Sequence, residues 1–570
     1  MDYTRDMLSR REFLKATGET CLAVGCTSLL STLAPPTLAA ESKTNSLRCI
    51  NVVNFIREIE PRFEMDMMLP VREQMKLILE HKLLATWLLQ FDALVSGPFV
   101  EYLKANMAPN HEVGFWFEMN ERHCKAAGVE WRGRPGYEWD HIPHVAFTIG
   151  YTEAERIKLA DTAMREFKRI WGNYPTSVAS WNLDSFTLAH LSDNYGIDAY
   201  AVCRDQIATD GFTIWGAPIA GYYPSKVNCW SPALDRRNQI STPVFRMLGQ
   251  DPVYYYERTR TLPNGRRVSE PDTMEPAWTS GRTPKFIDEF LEMITDTPTL
   301  GFAYGQLGQE NTFPWPQQSE GYPIQMEALA KLRDQGKVRV ETMGETGRRF
   351  KKAFTTTPAQ AQVMLEDPFG NTDPPQGSVW YQSRFYRANL HLKDDVPFLR
   401  DLTVYSDLNP QPFLKQATRL TDVEQRMPAI LDGYHWTKNP NSSTEERAGG
   451  YFSLGGNRLS LSGPAKVAET GSSLIADLPV GGDRVLHLRF NEREMTCHVT
   501  PATSEPLTLS FEWDPTKAAL TKVAPKQVGY QFQGFDYGVS IERGQAQATA
   551  KGWNVTGDKN GITLRLAQQK

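Results

Sequence analysis

Breaking a glycosidic bond needs two carboxyl groups astride it: one donates a proton to the leaving oxygen, the other attacks the sugar carbon or activates water. Three acids in this chain stand where apolar, strand-like runs give way to polar connections. Asp184 lies in Ser180-Trp181-Asn182-Leu183-Asp184-Ser185-Phe186, after the run Thr176–Ala179 and before a helical stretch to Tyr195. The alternative for an Asp at that place is to cap the helix, and the neighbouring Trp181 and Asn182 favour the site. Glu118 closes the aromatic run Val113-Gly114-Phe115-Trp116-Phe117, where apolar neighbours raise a carboxyl pKa and suit it to acid work. Glu310 sits in Gln306-Leu307-Gly308-Gln309-Glu310-Asn311-Thr312-Phe313-Pro314-Trp315, a strand running into an aromatic loop. Trp181, Asn182 and Trp315 are placed to shape a sugar subsite, and Asp92, Arg204, Asp205 and Glu345, at further strand ends, to bind hydroxyls. Arg57 either holds an acidic sugar or neutralises neighbouring carboxylates. Trp278 and the Tyr254-Tyr255-Tyr256 run are further candidate platforms in long connections.

The elements that must position these residues alternate. Apolar runs at Cys49–Ile56, Leu84–Leu89, Glu112–Phe117, Thr176–Ala179 and Gly196–Cys203 are separated by helical patterns. The clearest helix starts at Thr152, with a Thr cap and Glu153 and Glu155 in the first turn. Further strands are expected at Thr242–Leu248, Leu300–Tyr304 and Val338–Thr342. Continuous apolar strands alternating with helices predict a parallel sheet covered on its outside. Seven or eight such units over 48–357 predict an α/β fold, a (β/α)7-8 barrel whose functional rim lies at the strand C-termini. A doubly wound sheet would carry a Gly-rich loop after its first strand, and Asn54-Phe55-Ile56-Arg57-Glu58 has none. Past Thr357 the helical period gives way to short alternating runs punctuated by Gly, Asn, Asp and Pro, which predicts an antiparallel β-sandwich over 363–570. That domain either binds glycan or braces the barrel.

Ser9-Arg10-Arg11-Glu12-Phe13-Leu14-Lys15, opening a broken apolar stretch to Ala40, resembles a twin-arginine export signal. It implies residues 1–40 as a signal peptide, the twin-arginine translocase as a partner during export, and a periplasmic or secreted protein. Ala23-Val24-Gly25-Cys26 is a rival lipoprotein processing site. The stretch is too interrupted for a membrane span. A net charge of −5 provides no field for nucleic acid or anionic lipid. Cys49, Cys124, Cys203, Cys229 and Cys497 are scattered without ligand spacing, and their odd number leaves at least one free thiol.

The order strand, Trp181-Asn182-Leu183-Asp184-Ser185-Phe186, helix, Gly196-Ile197-Asp198 resembles the glycoside hydrolase/deacetylase barrel superfamily, and locally the W-x-I-D-x-F pattern of family 38 α-mannosidases. The resemblance implies a carbohydrate-active hydrolase on a poly- or oligosaccharide, with Asp184 as nucleophile. By order along the chain alone, Glu310 falls near the acid/base of family 57 enzymes. The Asp-Asp or His-x-Asp metal ligands of the superfamily are replaced by Asn54-Phe55-Ile56-Arg57-Glu58, and H-x-x-x-H by Phe117-Glu118-Met119-Asn120-Glu121-Arg122-His123. No metal or other cofactor is therefore expected, and His123, His141 and His144 are read as loop or core residues. Three functions follow. A metal-independent glycoside hydrolase or transglycosidase predicts two carboxylates about 5–10 Å apart across an aromatic cleft. A metal-dependent polysaccharide deacetylase predicts converging Asp and His ligands. A non-catalytic glycan-binding envelope protein predicts a groove without paired acids.

Overall fold

The computed structural model describes residues 46–568 except 63, 262–266, 374 and 439–446. The export and lipoprotein motifs lie outside the described residues. No described helix is long and apolar enough to cross a membrane.

Seven strands run parallel around a barrel: β1 (Leu47–Ile56), β2 (Ala85–Leu89), β3 (Glu112–Trp116), β4 (Ser177–Ser180), β5 (Ala199–Val202), β9 (Val244–Arg246) and β12 (Phe302–Leu307). Their order is β12-β1-β2-β3-β4-β5-β9, every neighbouring pair parallel. The strands are buried on both faces, which is why they read as continuous apolar runs. A short strand, β8 (Gly221–Tyr222), lies antiparallel to β9. No ladder joins β9 to β12. The ring is instead drawn together by side chains: the Phe245 ring lies 4.9 Å from Tyr304 and 5.8 Å from Phe302. The run at Val338–Thr342 is strand β13 (Arg339–Glu341), but it extends the ring no further. It pairs with Cys49–Asn51 of β1, and β2 pairs with Val52–Ile56 above it.

Helix 153–171 shows why these sequences fold as they do. Thr152 and Glu155 form a reciprocal capping box, and Gly172 ends the helix at φ 87°. Leu159, Ala160, Ala163, Met164 and Phe167 turn one buried face to the barrel.

Between β5 and the helix Pro284–Thr295 the chain departs from the strand–helix alternation. Strands β6 (Gln206–Thr209) and β7 (Phe212–Trp215) form a hairpin, and β10 (Thr259–Thr261) and β11 (Arg267–Ser269) join it through β6. A strand from the C-terminal region, Val423–Arg426, completes this small sheet against β7. From Gln360 onward two antiparallel sheets pack as a β-sandwich around their own core, which includes Leu390, Leu402, Phe452, Leu488, Phe511 and Trp553. All five described cysteines are buried free thiols, and burial pushes Cys203 up to about 12. They are packing residues rather than nucleophiles.

Candidate active-site cleft

The ends of β1, β3 and β12 meet at one guanidinium. Arg57, just past β1, places Nη2 3.3 Å from Glu118 Oε2 and 3.2 Å from Glu310 Oε2. Both oxygens share one nitrogen, so they are at most about 6.5 Å apart. Each partner is held from behind. The Asn311 amide pairs both backbone groups of Arg57, accepting from its N at 3.0 Å and donating to its O at 2.8 Å. This fixes Glu310 against the end of β1. Asn54 Oδ1 accepts from Gln309 N at 3.1 Å and from the Tyr322 hydroxyl at 2.9 Å. Gly308 has φ +116°, and a Cβ there would lie 2.0 Å from Val53 O, so only glycine lets β12 turn this close to β1. Glu118 Oε2 accepts from Trp116 Nε1 at 2.9 Å, and Trp116 stacks on Phe55 at 3.9 Å. The Arg57 guanidinium lies 4.0 Å from the centre of the Trp139 ring.

Of these groups Glu310 lines a cleft of about 670 Å³. Glu310 and Trp181 line both the cleft and a small recess beneath it that reaches Arg57, Glu118, Trp139 and His141. Asp210 of the β6–β7 hairpin lines both as well. The remaining walls include Arg62, Arg204, Glu270, Glu275, Trp278 and Phe313. The Glu118 side chain is 1% exposed and that of Glu310 11%. Burial pushes Glu310 up to about 7: the pull of Arg57 opposes it, and the charges of Glu275 and Glu118 add to it. Burial also raises Glu118, against Arg57 and Trp116. Glu310 is thus a carboxyl that carries its proton close to neutrality.

Other residues expected at the site lie elsewhere. Asp184 is fully buried and is spent on its own helix. It accepts from Thr187 N at 3.0 Å and Thr187 Oγ1 at 2.7 Å, and pairs with Arg156 Nη1 at 3.1 Å. Its expected place as nucleophile gives way to the capping role. Asp184→Asn, a substitution that keeps the cap and removes the ion pair, is expected to lower Tm by several degrees with kcat within twofold of wild type. Differential scanning calorimetry beside a turnover assay checks this. Asn182 is buried, accepting from Gln425 at 3.0 Å. Asp92 ties down the loop behind Arg57, accepting from Glu58 N at 2.9 Å and Ile59 N at 2.8 Å, and burial raises it to about 6. Asp205 belongs to an ion network with the sandwich, bonding Arg246 and Arg387 at 2.8 Å each. Glu345 closes the capping box of helix 343–353. Trp315 packs against Tyr322, and Phe313 and Pro314 face the cleft in its stead. Arg204 does line the cleft, 3.2 Å from Glu270. Arg57 neutralises two carboxylates, which leaves it poorly placed to seize an acidic sugar. Tyr254, Tyr255 and Tyr256 are buried; Trp278 faces the cleft.

Asp210, Glu270 and Glu275 also line the cleft, and no strand-end pattern marks them. One signal was present: Asp210-Gly211 between two short β-type runs marks a hairpin turn. Among the described residues no three His, Cys, Asp or Glu side chains gather as a metal-ligand set. His123 is a core residue stacked on Phe91 at 4.4 Å, and burial lowers it to about 4.

No family model matches the chain, and no curated protein matches it. Among solved structures it is similar to a candidate glycoside hydrolase/deacetylase from Parabacteroides distasonis, at 15% identity over 67% of this chain and 91% of that one, TM-score 0.48. It is similar also to a candidate polysaccharide deacetylase from Mycobacterium smegmatis, at 12% identity over 57% and 97%, TM-score 0.33. A third is a candidate polysaccharide deacetylase from Pseudomonas aeruginosa PAO1, at 11% over 54% and 92%, TM-score 0.32. Likenesses at this level bring no residue role and no activity to this chain.

Proposed function

We propose that the chain is a carbohydrate-active hydrolase that cleaves glycosidic bonds with Glu310 and Glu118, without a metal. The observation that carries this reading is the shared Arg57 nitrogen: two buried carboxyls at most about 6.5 Å apart under an aromatic cleft. Retaining glycosidases hold their carboxyls about 5–5.5 Å apart, inverting ones about 6.5–9.5 Å. The limit set by Arg57 favours the first class. Glu310 then gives its proton to the leaving oxygen as Glu118 attacks the sugar carbon.

The electrostatics suit both halves of that cycle. With Glu118 ionised, its charge helps keep Glu310 protonated. Once Glu118 is esterified that charge is gone and Arg57 serves Glu310 alone. The Glu310 pKa falls, and it takes a proton from the incoming water. A metal-dependent deacetylase would release acetate and leave the chain length intact. The test is product analysis on a panel of acetylated and unacetylated glycans: new reducing ends are expected, and acetate release from chains of unchanged length overturns the proposal.

Export through the twin-arginine route is a second part of the proposal, supported by Ser9-Arg10-Arg11-Glu12-Phe13-Leu14-Lys15. Replacing Arg10 and Arg11 together by Lys is expected to move most of the protein from the exported to the cytoplasmic fraction of a host carrying the translocase. Unchanged fractionation rejects this route.

A further inference from the structure

The cleft above Glu310 continues past Trp278. A second depression of about 430 Å³ shares Arg204, Glu270 and Trp278 with the first. Each lobe lies within the roughly 300–1,000 Å³ that accommodates a whole small ligand. Trp278 is 46% exposed. Phe313 packs against it in a T-shaped pair, with centroids 5.4 Å apart and planes at 76°.

Charge narrows what fits. In the second lobe Arg258 pairs with Asp272, and Glu257 with Lys393 at 3.1 Å and Arg447 at 2.7 Å. Hydroxyl-bearing Thr259, Thr273, Thr279 and Ser280 fill out the lining. In the first lobe Asp210, Glu270, Glu275 and Glu310 outnumber Arg62 and Arg204. A polyanion meets no surplus of positive charge in either lobe. An uncharged polyhydroxylated ring matches both demands: its C–H face lies on the indole and its hydroxyls reach the surrounding polar groups.

We infer that Trp278 is the central platform of a two-lobed groove that binds an uncharged oligosaccharide across itself, so that the sugar handled at Glu310 is part of a longer chain. The cleavage half of this statement rests on the function proposed above; the binding half does not.

Full-length Glu310→Gln protein, which holds substrate without cutting it, is titrated calorimetrically with gluco-, manno- and N-acetylchito-oligosaccharides of two to six units, and with oligogalacturonates. The expected result is an affinity that rises tenfold or more from two units to six on an uncharged series. In the Glu310→Gln/Trp278→Ala double variant, with Tm preserved, that rise shrinks below threefold. Affinity independent of length, an undiminished rise without the indole, tighter binding of oligogalacturonates, or no binding in any series each overturns the inference. Trp278-dependent binding by a wild-type protein that releases no reducing ends retains the groove and removes the cleavage reading. Cleavage with no Trp278-dependent length effect does the reverse.

Discussion

Glu310→Gln lowers kcat/KM on an unactivated glycan by about a thousandfold, within the 10²–10⁴ range of a lost general acid. In free energy this is about 4 kcal/mol of transition-state stabilisation. The residue donates while protonated, and its pKa is raised to about 7. Wild-type turnover therefore falls as pH rises through about 7, and falls also on the acid side as Glu118, whose pKa burial raises, takes up the proton that stops its attack. The Glu310→Gln variant has no proton to lose at the upper end and lacks the alkaline limb. A nitrophenyl glycoside, whose leaving group departs unaided, separates acid catalysis from damage to the cleft: on it the first step in Glu310→Gln is slowed far less. Glu118→Gln, by contrast, depresses both substrates, because the attacking group is gone whichever bond is broken. Gln is close to isosteric with Glu and can still accept from Arg57, so both variants are expected to fold with near-native Tm. A Glu310→Gln protein with more than a tenth of wild-type activity and an unchanged alkaline limb would falsify the assignment.

Glu118, Glu310 and Asp184 all read from sequence as strand-end acids, for one physical reason. A parallel strand buried on both faces announces its own end, because the apolar run stops where the chain leaves the ring. That was enough to put Glu118 and Glu310 on the rim. It does not tell which way a rim side chain turns. At Asp184 the following helix offers its first-turn N–H and a Thr hydroxyl, and Arg156 arrives from the preceding helix. That partner lies 28 positions earlier, outside any local pattern. Arg57 and Asn311 show the same limit from the other side. Their pairing joins the ends of β1 and β12 across 254 residues, and it is what brings Glu310 to Glu118. The insertion between β5 and Pro284 has no period long enough to read, so the wall carrying Asp210, Glu270 and Glu275 was visible only as a turn signal at Asp210-Gly211.

The same distinction between local pattern and distant partner governs Asp205, where the largest stability effect is expected. Asp205 Oδ1 accepts from Arg246 Nη2 and Oδ2 from Arg387 Nη1, both at 2.8 Å, and Gly216 N adds a third bond at 2.8 Å. Arg387, on a sandwich strand, also bonds Asp401 Oδ2 at 2.8 Å and Ala217 O at 2.6 Å. The network thus ties the end of β5 to the β-sandwich, which is how the sandwich can brace the wall that carries Arg204. Burial by itself would raise the Asp205 pKa, but Arg387 and Arg246 outweigh it and hold the group below the ordinary carboxylate value. Its contribution is therefore complete above the unfolded-state pKa and is lost as pH falls through the lowered folded value. Asp205→Ala leaves two buried guanidiniums short of an anion, and removing one partner of a buried ion pair costs about 3–5 kcal/mol. The urea midpoint at pH 7 is expected to drop accordingly, with the gap to wild type narrowing as pH falls below about 4. Asp205→Ala combined with Arg246→Met, which removes the anion together with the cation it pairs at 2.8 Å and leaves Arg387 on Asp401, recovers part of that loss. An Asp205→Ala unfolding free energy within about 1 kcal/mol of wild type at pH 7 would show that this ion network does not hold the sandwich to the barrel.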